Sequence, residues 1–144
     1  MTRVDEHLDP AGRVGLPASS RRWGALFQPT SVLTPAQQHE LTAQRSSGWQ
    51  RGATCAQADP EAWFPEKGTP AQPQVFTVCG RCPVRRSCLA SALLRHEEGV
   101  WAGTTAADRS QFYGLLKAGV PVDRVLDAAL ASQSLLSALL EDVA

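Results

Sequence analysis

The chain has 144 residues, 43% hydrophobic and 19% charged, and its 14 basic and 14 acidic side chains cancel. That length suits one small domain with tails, and zero net charge excludes a protein that coats polyanions through excess cations. No apolar run approaches the roughly 18 residues of a membrane span, and the opening MTRVDEHLDPAGR lacks the apolar stretch of a secretory signal, so a cytoplasmic location is expected.

Residues 1–30 mix Gly, Pro, Ser and Arg without a sustained period and read as a flexible tail, in which Trp23, Leu26 and Phe27 predict one short anchored turn. Thr34-Pro35-Ala36-Gln37 then offers an N-cap, a first-turn proline and a capping-box Gln, predicting a helix to about Ser46 that stops before Gly48. Two X-Pro steps, Asp59-Pro60 and Phe64-Pro65, make the stretch from Trp49 to Gln74 a folded loop. It nevertheless carries Trp49, Trp63 and Phe64, which predicts packing. Gln74–Val78 is the one strand candidate. A cysteine-bearing turn follows, with Cys82 placed as N-cap of a helix that ends at Gly99 and holds Cys88 in its second turn. Thr104 or Thr105 caps another helix, AADRSQFYGLLKAG, and Gly119 and Pro121 separate it from a last amphipathic helix. The apolar stripe of that helix is Val122, Val125, Leu126, Ala129, Leu136, Leu139, Leu140 and Val143. The predicted class is all-α with a C-terminal helical hairpin, divided as 1–30, 31–115 and 116–144.

The four cysteines, Cys55, Cys79, Cys82 and Cys88, all fall inside 34 residues. In a chain without an export signal such a cluster reads first as a metal or cluster site and second as redox chemistry. A four-cysteine zinc site usually uses two C-x2-4-C knuckles, and only Cys79-x2-Cys82 is present. A [4Fe–4S] cluster takes four thiolates from several segments. Its negative charge suits the start of the Cys88 helix, with Arg81, Arg85 and Arg86 nearby. On ligand type the iron–sulfur centre comes first, zinc second and a dithiol couple third, and all three stay open.

Three motifs stand in order: Cys55-x-x-Ala58-Asp59-Pro60 with Trp63-Phe64-Pro65; Cys79-Gly80-Arg81-Cys82-Pro83-Val84-Arg85-x-x-Cys88; and Gly99-Val100-Trp101-Ala102-Gly103. Together, over about residues 49–115, they resemble the WhiB-like family of actinobacterial iron–sulfur proteins. The resemblance implies a small helical domain wrapped around a [4Fe–4S] cluster on Cys55, Cys79, Cys82 and Cys88. It also implies transcriptional regulation by docking on region 4 of the primary sigma factor of RNA polymerase, with response to oxygen or nitric oxide. Trp101 is then a main sigma contact, Trp63 and Phe64 line cluster and interface, and Trp49 matches a family Trp before the first Cys.

Two departures stand out. The family turn usually closes on Gly-Gly, and Ala102 takes the first position here, which predicts an altered turn if positive φ is needed. Many members also carry an Arg/Lys-rich tail that grips DNA, whereas residues 104–144 hold Arg109, Lys117 and Arg124 against Asp108, Asp123, Asp127, Glu141 and Asp142. Residues Leu115–Leu126 loosely resemble the first half of a helix-turn-helix, but the part that should be the recognition helix, Ser132–Leu140, has no Arg or Lys to read a groove. DNA contact is therefore expected to be weak or indirect. Arg81, Arg85 and Arg86 are read as solvated charges, and His7, His39 and His96 as surface or capping groups. No nucleophile elbow or phosphate loop is present, so no enzyme is expected. The alternatives are a zinc-stabilised four-cysteine interaction adaptor and an apo-form dithiol disulfide reductase.

Overall fold

A computed structural model describes residues 32–131 and 133–143 together with two short strands, β1 (His7–Leu8) and β2 (Val14–Gly15). The chain divides into two units, Met1–Val32 and Leu33–Ala144. In the first, β1 pairs antiparallel with β2, His7 opposite Gly15 and Leu8 opposite Val14. This two-residue ladder was not foreseen. The turn predicted around Trp23, Leu26 and Phe27 lies outside the described residues.

Six helices among the described residues build the second unit. The first, α1 (Pro35–Ala43), begins as its sequence dictates: Thr34 accepts from the Gln37 amide at 3.1 Å, and Gln37 Oε1 accepts from the Thr34 amide at 2.9 Å. It stops about one turn before Gly48. Ser87 Oγ takes the Ser46 amide at 3.1 Å and donates to the Gln44 carbonyl at 3.4 Å, so a neighbouring helix supplies partners that continued helix would otherwise provide. Three short 3-10 turns follow, Trp49–Gly52, Thr54–Gln57 and Pro60–Trp63.

The strand candidate Gln74–Val78 is helix. It lies in α2 (Pro73–Gly80), where Pro73 occupies the first turn and Val75 and Cys79 are buried one turn apart on one face. The β-branched and aromatic run suggested a strand, but burial at i and i+4 decides the matter. Next, α3 (Arg85–Arg95) starts two residues later than expected, with Val84 rather than Cys82 as N-cap, so Cys88 sits in its first turn. It ends at His96 (φ 52°), before Gly99, and the His96 ring stacks on Tyr113 at 4.7 Å. Thr105 and Asp108 form a second capping box at the start of α4 (Ala106–Lys117).

The predicted last helix is two, α5 (Val122–Ala131) and α6 (Gln133–Asp142). One straight helix of about 22 residues would run about 33 Å and leave the domain; two shorter ones both reach α4. Helix α5 also packs on α1 and α3. The main core joins Leu41 of α1, Leu89 and Leu93 of α3, Phe112 and Leu115 of α4, and Val122, Val125 and Leu126 of α5. Residues beyond 116 therefore share one core with α1 and α3. Of the predicted stripe, Val122, Val125, Leu126 and Leu139 are buried, whereas Val143 is exposed; the side chain of Leu136 lies outside the described residues. A second, smaller cluster gathers Trp63, Val75, Cys79 and Val100. Helices carry the fold, in agreement with an all-α class. No helix among the described residues is long and apolar enough to cross a membrane.

The acidic C-terminal segment has an internal use. Arg86 donates to Asp127 at 2.5 Å, to Asp123 at 3.3 Å and to Gln44 Oε1 at 2.8 Å, tying α3 to α5 and to the end of α1. The two carboxylates are well exposed, so each pair is worth at most about 1 kcal/mol. The helices are held by their buried face. Replacing the fully buried Leu126 by Ala is expected to lower unfolding free energy by about 2–5 kcal/mol, read from the urea midpoint at unchanged slope. A loss well below that range would make α5 peripheral to the core.

Candidate metal centre

Each thiol is delivered by a different local device. Cys55 rides on the Thr54–Gln57 turn, and Cys79 occupies the last turn of α2. Cys82 follows the end of that helix, its amide donating to the Cys79 carbonyl at 3.2 Å. Cys88 is locked into α3 by its amide bond to the Val84 carbonyl at 2.9 Å. None of the four is in a disulfide, and all four line one cavity of about 350 Å³. Trp49, Trp63, Val100 and Trp101 supply apolar walls, with Arg85 a cationic one. The cavity lies on the seam of the fold: Cys88 packs against the main core, while Cys55 and Cys79 belong to the smaller cluster.

The surroundings raise the pKa of two of the four thiols. Burial pushes the Cys88 thiol up to about 12; the Ala102 amide opposes this, and the neighbouring Cys79, Cys55 and Cys82 add to it. Cys55 is raised by burial, then by Cys79 and Cys82. Cys79 and Cys82 contribute to both shifts, which places the four sulfurs within electrostatic reach around a common space. Coordination would convert them to thiolates with proton release. Two N–H groups already point at sulfur: the Ala102 amide at Cys88, and Trp63 Nε1, buried, 3.4 Å from Cys79 Sγ.

Four thiols around one space of about 350 Å³ are the donor set of a thiolate-bound metal centre, and Cys55, Cys79, Cys82 and Cys88 are the residues that would hold it.

The Gly99–Thr104 loop closes this site. Trp101 and Thr104 exchange backbone hydrogen bonds at 3.0 and 2.8 Å, with Ala102 (φ 54°) and Gly103 (φ 74°) between them. Positive φ at both central residues is the pattern of a type I′ turn. The turn is therefore retained despite Ala102. Left-handed Ala costs about 1–2 kcal/mol, and the buried methyl, packed in the main core, returns about 0.8 kcal/mol. The loop docks through the bond from the Val100 amide to the Trp63 carbonyl, 2.8 Å. At Gly99 (φ 84°) a Cβ would lie 2.6 Å from that carbonyl and from the Phe64 ring.

A residue that sequence reasoning passed over holds the loop from behind. Arg109 of α4 is 2% exposed, and its guanidinium donates to the carbonyls of Gly99 (2.6 Å), Thr104 (2.7 Å) and Glu97 (3.0 Å) and to Thr104 Oγ1 (3.1 Å). Burial lowers its pKa, the usual cost of a cation held by dipoles. Its sequence neighbourhood is that of an ordinary surface position on a helix, and only the path of the loop turns it inward.

The family profile described as Transcription factor WhiB matches residues 49–112. The transcriptional regulator WhiB2 of Mycolicibacterium smegmatis is 37% identical over 98 residues, 67% of this chain and 72% of that protein. The transcriptional regulator WhiB of Streptomyces coelicolor is 44% identical over 68 residues, 46% of this chain and 77% of that one. WhiB2 of Mycobacterium tuberculosis is 40% identical over 81 residues, 56% and 85% of the two chains. This chain belongs to the WhiB family. No solved structure matches it.

The WhiB segment, 49–112, contains all four cysteines, the Gly99–Thr104 loop and Arg109. The structure brings every predicted site residue to the one cavity, but in different roles. Trp49 and Trp63 are buried in its wall, 9% exposed each, whereas Phe64 is 52% exposed and Trp101 half-buried, its Nε1 donating to the Glu98 carbonyl at 2.7 Å. The reading of three arginines as solvated charges holds for Arg81 alone. Arg85 lines the cavity and Arg86 is paired with α5. His96 does cap a helix, and His39 is exposed.

Gly99→Ala is expected to cost at least about 2 kcal/mol, from backbone strain and overlap together. Arg109→Leu, which strands three carbonyls, should cost about 3–5 kcal/mol. Thermal unfolding of the metal-free chain measures both. A near-neutral Arg109→Leu would mean that the loop holds its shape without the guanidinium.

Proposed function

We propose that this WhiB-family chain is a cytoplasmic transcriptional regulator, not an enzyme, that holds one [4Fe–4S] cluster on Cys55, Cys79, Cys82 and Cys88 and docks on region 4 of the primary sigma factor. The observation that carries the reading is the one cavity of about 350 Å³ lined by all four thiols, none of them in a disulfide. When bound, such a cluster supplies a redox-active centre open to attack by oxygen and nitric oxide. The chain contributes the rest. Trp49, Trp63 and Val100 exclude water from the sulfurs, while Trp63 Nε1 and the Ala102 amide donate to them.

The docking face is argued from what remains reachable. Phe64 stands exposed where Gly99 lets the two loops touch, and Trp101 sits on the cavity rim beside it. Exposed aromatics around a rigid turn are the residues that carry interface energy. Ligation joins Cys55, Cys79 and Cys82 to Cys88 on the main core, so it orders this aromatic face. Emptying the site releases it and changes promoter choice. DNA contact stays weak or indirect: Arg109 is buried, which leaves Lys117 and Arg124 as the exposed cations of residues 104–143.

The dithiol reductase alternative loses ground because Cys79 is buried and a reactive thiol needs access. The zinc adaptor is separated by analysis. Protein purified without oxygen should contain four iron and four sulfide per chain and lose its colour on exposure to air or nitric oxide; one zinc without sulfide refutes the cluster. Cys82→Ala should abolish colour and sigma-factor capture together. Trp101→Ala should weaken capture about tenfold or more and keep the colour, and bleaching of that variant would make Trp101 part of the site wall instead.

A further inference from the structure

Four arginines belong to the Cys79–Cys88 segment or hold the closing loop, and three are fully used or outside. Arg81 is exposed, Arg86 is paired with Asp123 and Asp127, and Arg109 is saturated by three carbonyls and a hydroxyl. Arg85 differs. It opens α3, lines the cavity with the four thiols, and no carboxylate among the described residues pairs with it. Its Nη2 donates to the Ala102 carbonyl and its Nη1 to the Leu130 carbonyl, both at a long 3.4 Å, and its Nε is buried with no partner. A buried charged donor left unmade is costly, so the guanidinium has binding capacity directed to a group the protein itself does not supply.

Its two contacts connect different parts of the chain. Ala102 belongs to the loop that closes the site, and Leu130 lies in the last turn of α5, where carbonyls lack helical partners and a cation is favoured. We propose that Arg85 is the internal counter-cation of the thiolate centre and the strut by which loading of that centre tightens the end of α5. This rests on the cluster reading for the sign of the bound charge. Four thiolates around the cluster are net anionic, and that charge fixes the guanidinium in one orientation. The fixed fork then holds both carbonyls, whereas in the empty site two long bonds alone restrain it. By linkage the same coupling works in reverse, and a well-packed α5 favours loading.

The test uses the full chain as wild type, Arg85→Gln and Arg85→Lys, each loaded without oxygen and each metal-free. Three quantities are read: iron, sulfide and zinc per chain, the reduction midpoint, and amide hydrogen exchange over residues 126–131. Loading should slow exchange there about tenfold in the wild type, and Arg85→Gln should lose most of that difference. Its midpoint should move negative, because a neutral amide no longer favours the added electron, while Arg85→Lys stays near the wild-type potential. Should Arg85→Gln take up no iron, loading of Arg85→Lys supports the counter-cation and failure of both overturns it. Unchanged potential and unchanged exchange in Arg85→Gln overturn the proposal outright. A wild type with zinc and no sulfide fails the cluster reading instead; four thiolates on zinc are also anionic, so the exchange difference alone then decides for or against the strut.

Discussion

The site in this fold answers to one constraint: four cysteines share one largely apolar cavity. Burial first, and the neighbouring thiols second, raise the pKa values of Cys55 and Cys88 in the metal-free chain. Coordination by the four thiols would replace their protons and join four segments at a single point, so a metal centre would hold this arrangement strongly. The placement of the thiols makes that junction consequential. Cys88 is rooted in the main helical core, and Cys55 and Cys79 sit in a smaller cluster built on Trp63, Val75 and Val100. A small cluster buries little apolar surface, and ligation is a large addition to its stability.

The closing loop shows how much of this chain is devoted to one turn. Glycine at 99 is required by contact, because the Trp63 carbonyl and the Phe64 ring occupy the space of a side chain. Positive φ at 102 and 103 is required by the tight reversal between Trp101 and Thr104. Arg109 then fixes the loop with charged hydrogen bonds to three backbone carbonyls and to the Thr104 hydroxyl. That leaves Trp101 and Phe64 free to serve as a surface while Trp49 and Trp63 serve as wall.

The C-terminal helices resolve an apparent contradiction in the charge pattern. A region of net negative charge stands where many family members are expected to carry a DNA-gripping tail, and its aspartates neutralise Arg86 at the surface of α3. Its apolar face completes the main core, with Val122, Val125 and Leu126 all buried. Among the described residues the segment reaches a lining residue of the cysteine cavity through a polar contact, the Arg85–Leu130 pair.

Capping boxes at Thr34 and Thr105, the stop at Gly119, the cysteine spacing and the three ordered motifs were legible in the sequence alone. The caps and the stop are local signals whose partners lie within a few residues, and the cysteines and motifs are readable as residue types in a fixed order. Long-range choices were not legible. Whether Gln74–Val78 coils or extends depends on which face meets Trp63 and Val100, and whether the last apolar run bends depends on α4 lying beneath it. The inward turn of Arg85 and Arg109 depends on where the closing loop passes. The residue types and their order determined the chemistry of this protein: four thiols, aromatic shielding and a glycine turn. The tertiary structure decided which aromatics are wall and which are surface, and which cations face the sulfurs, because burial is settled by distant neighbours that no local pattern encodes.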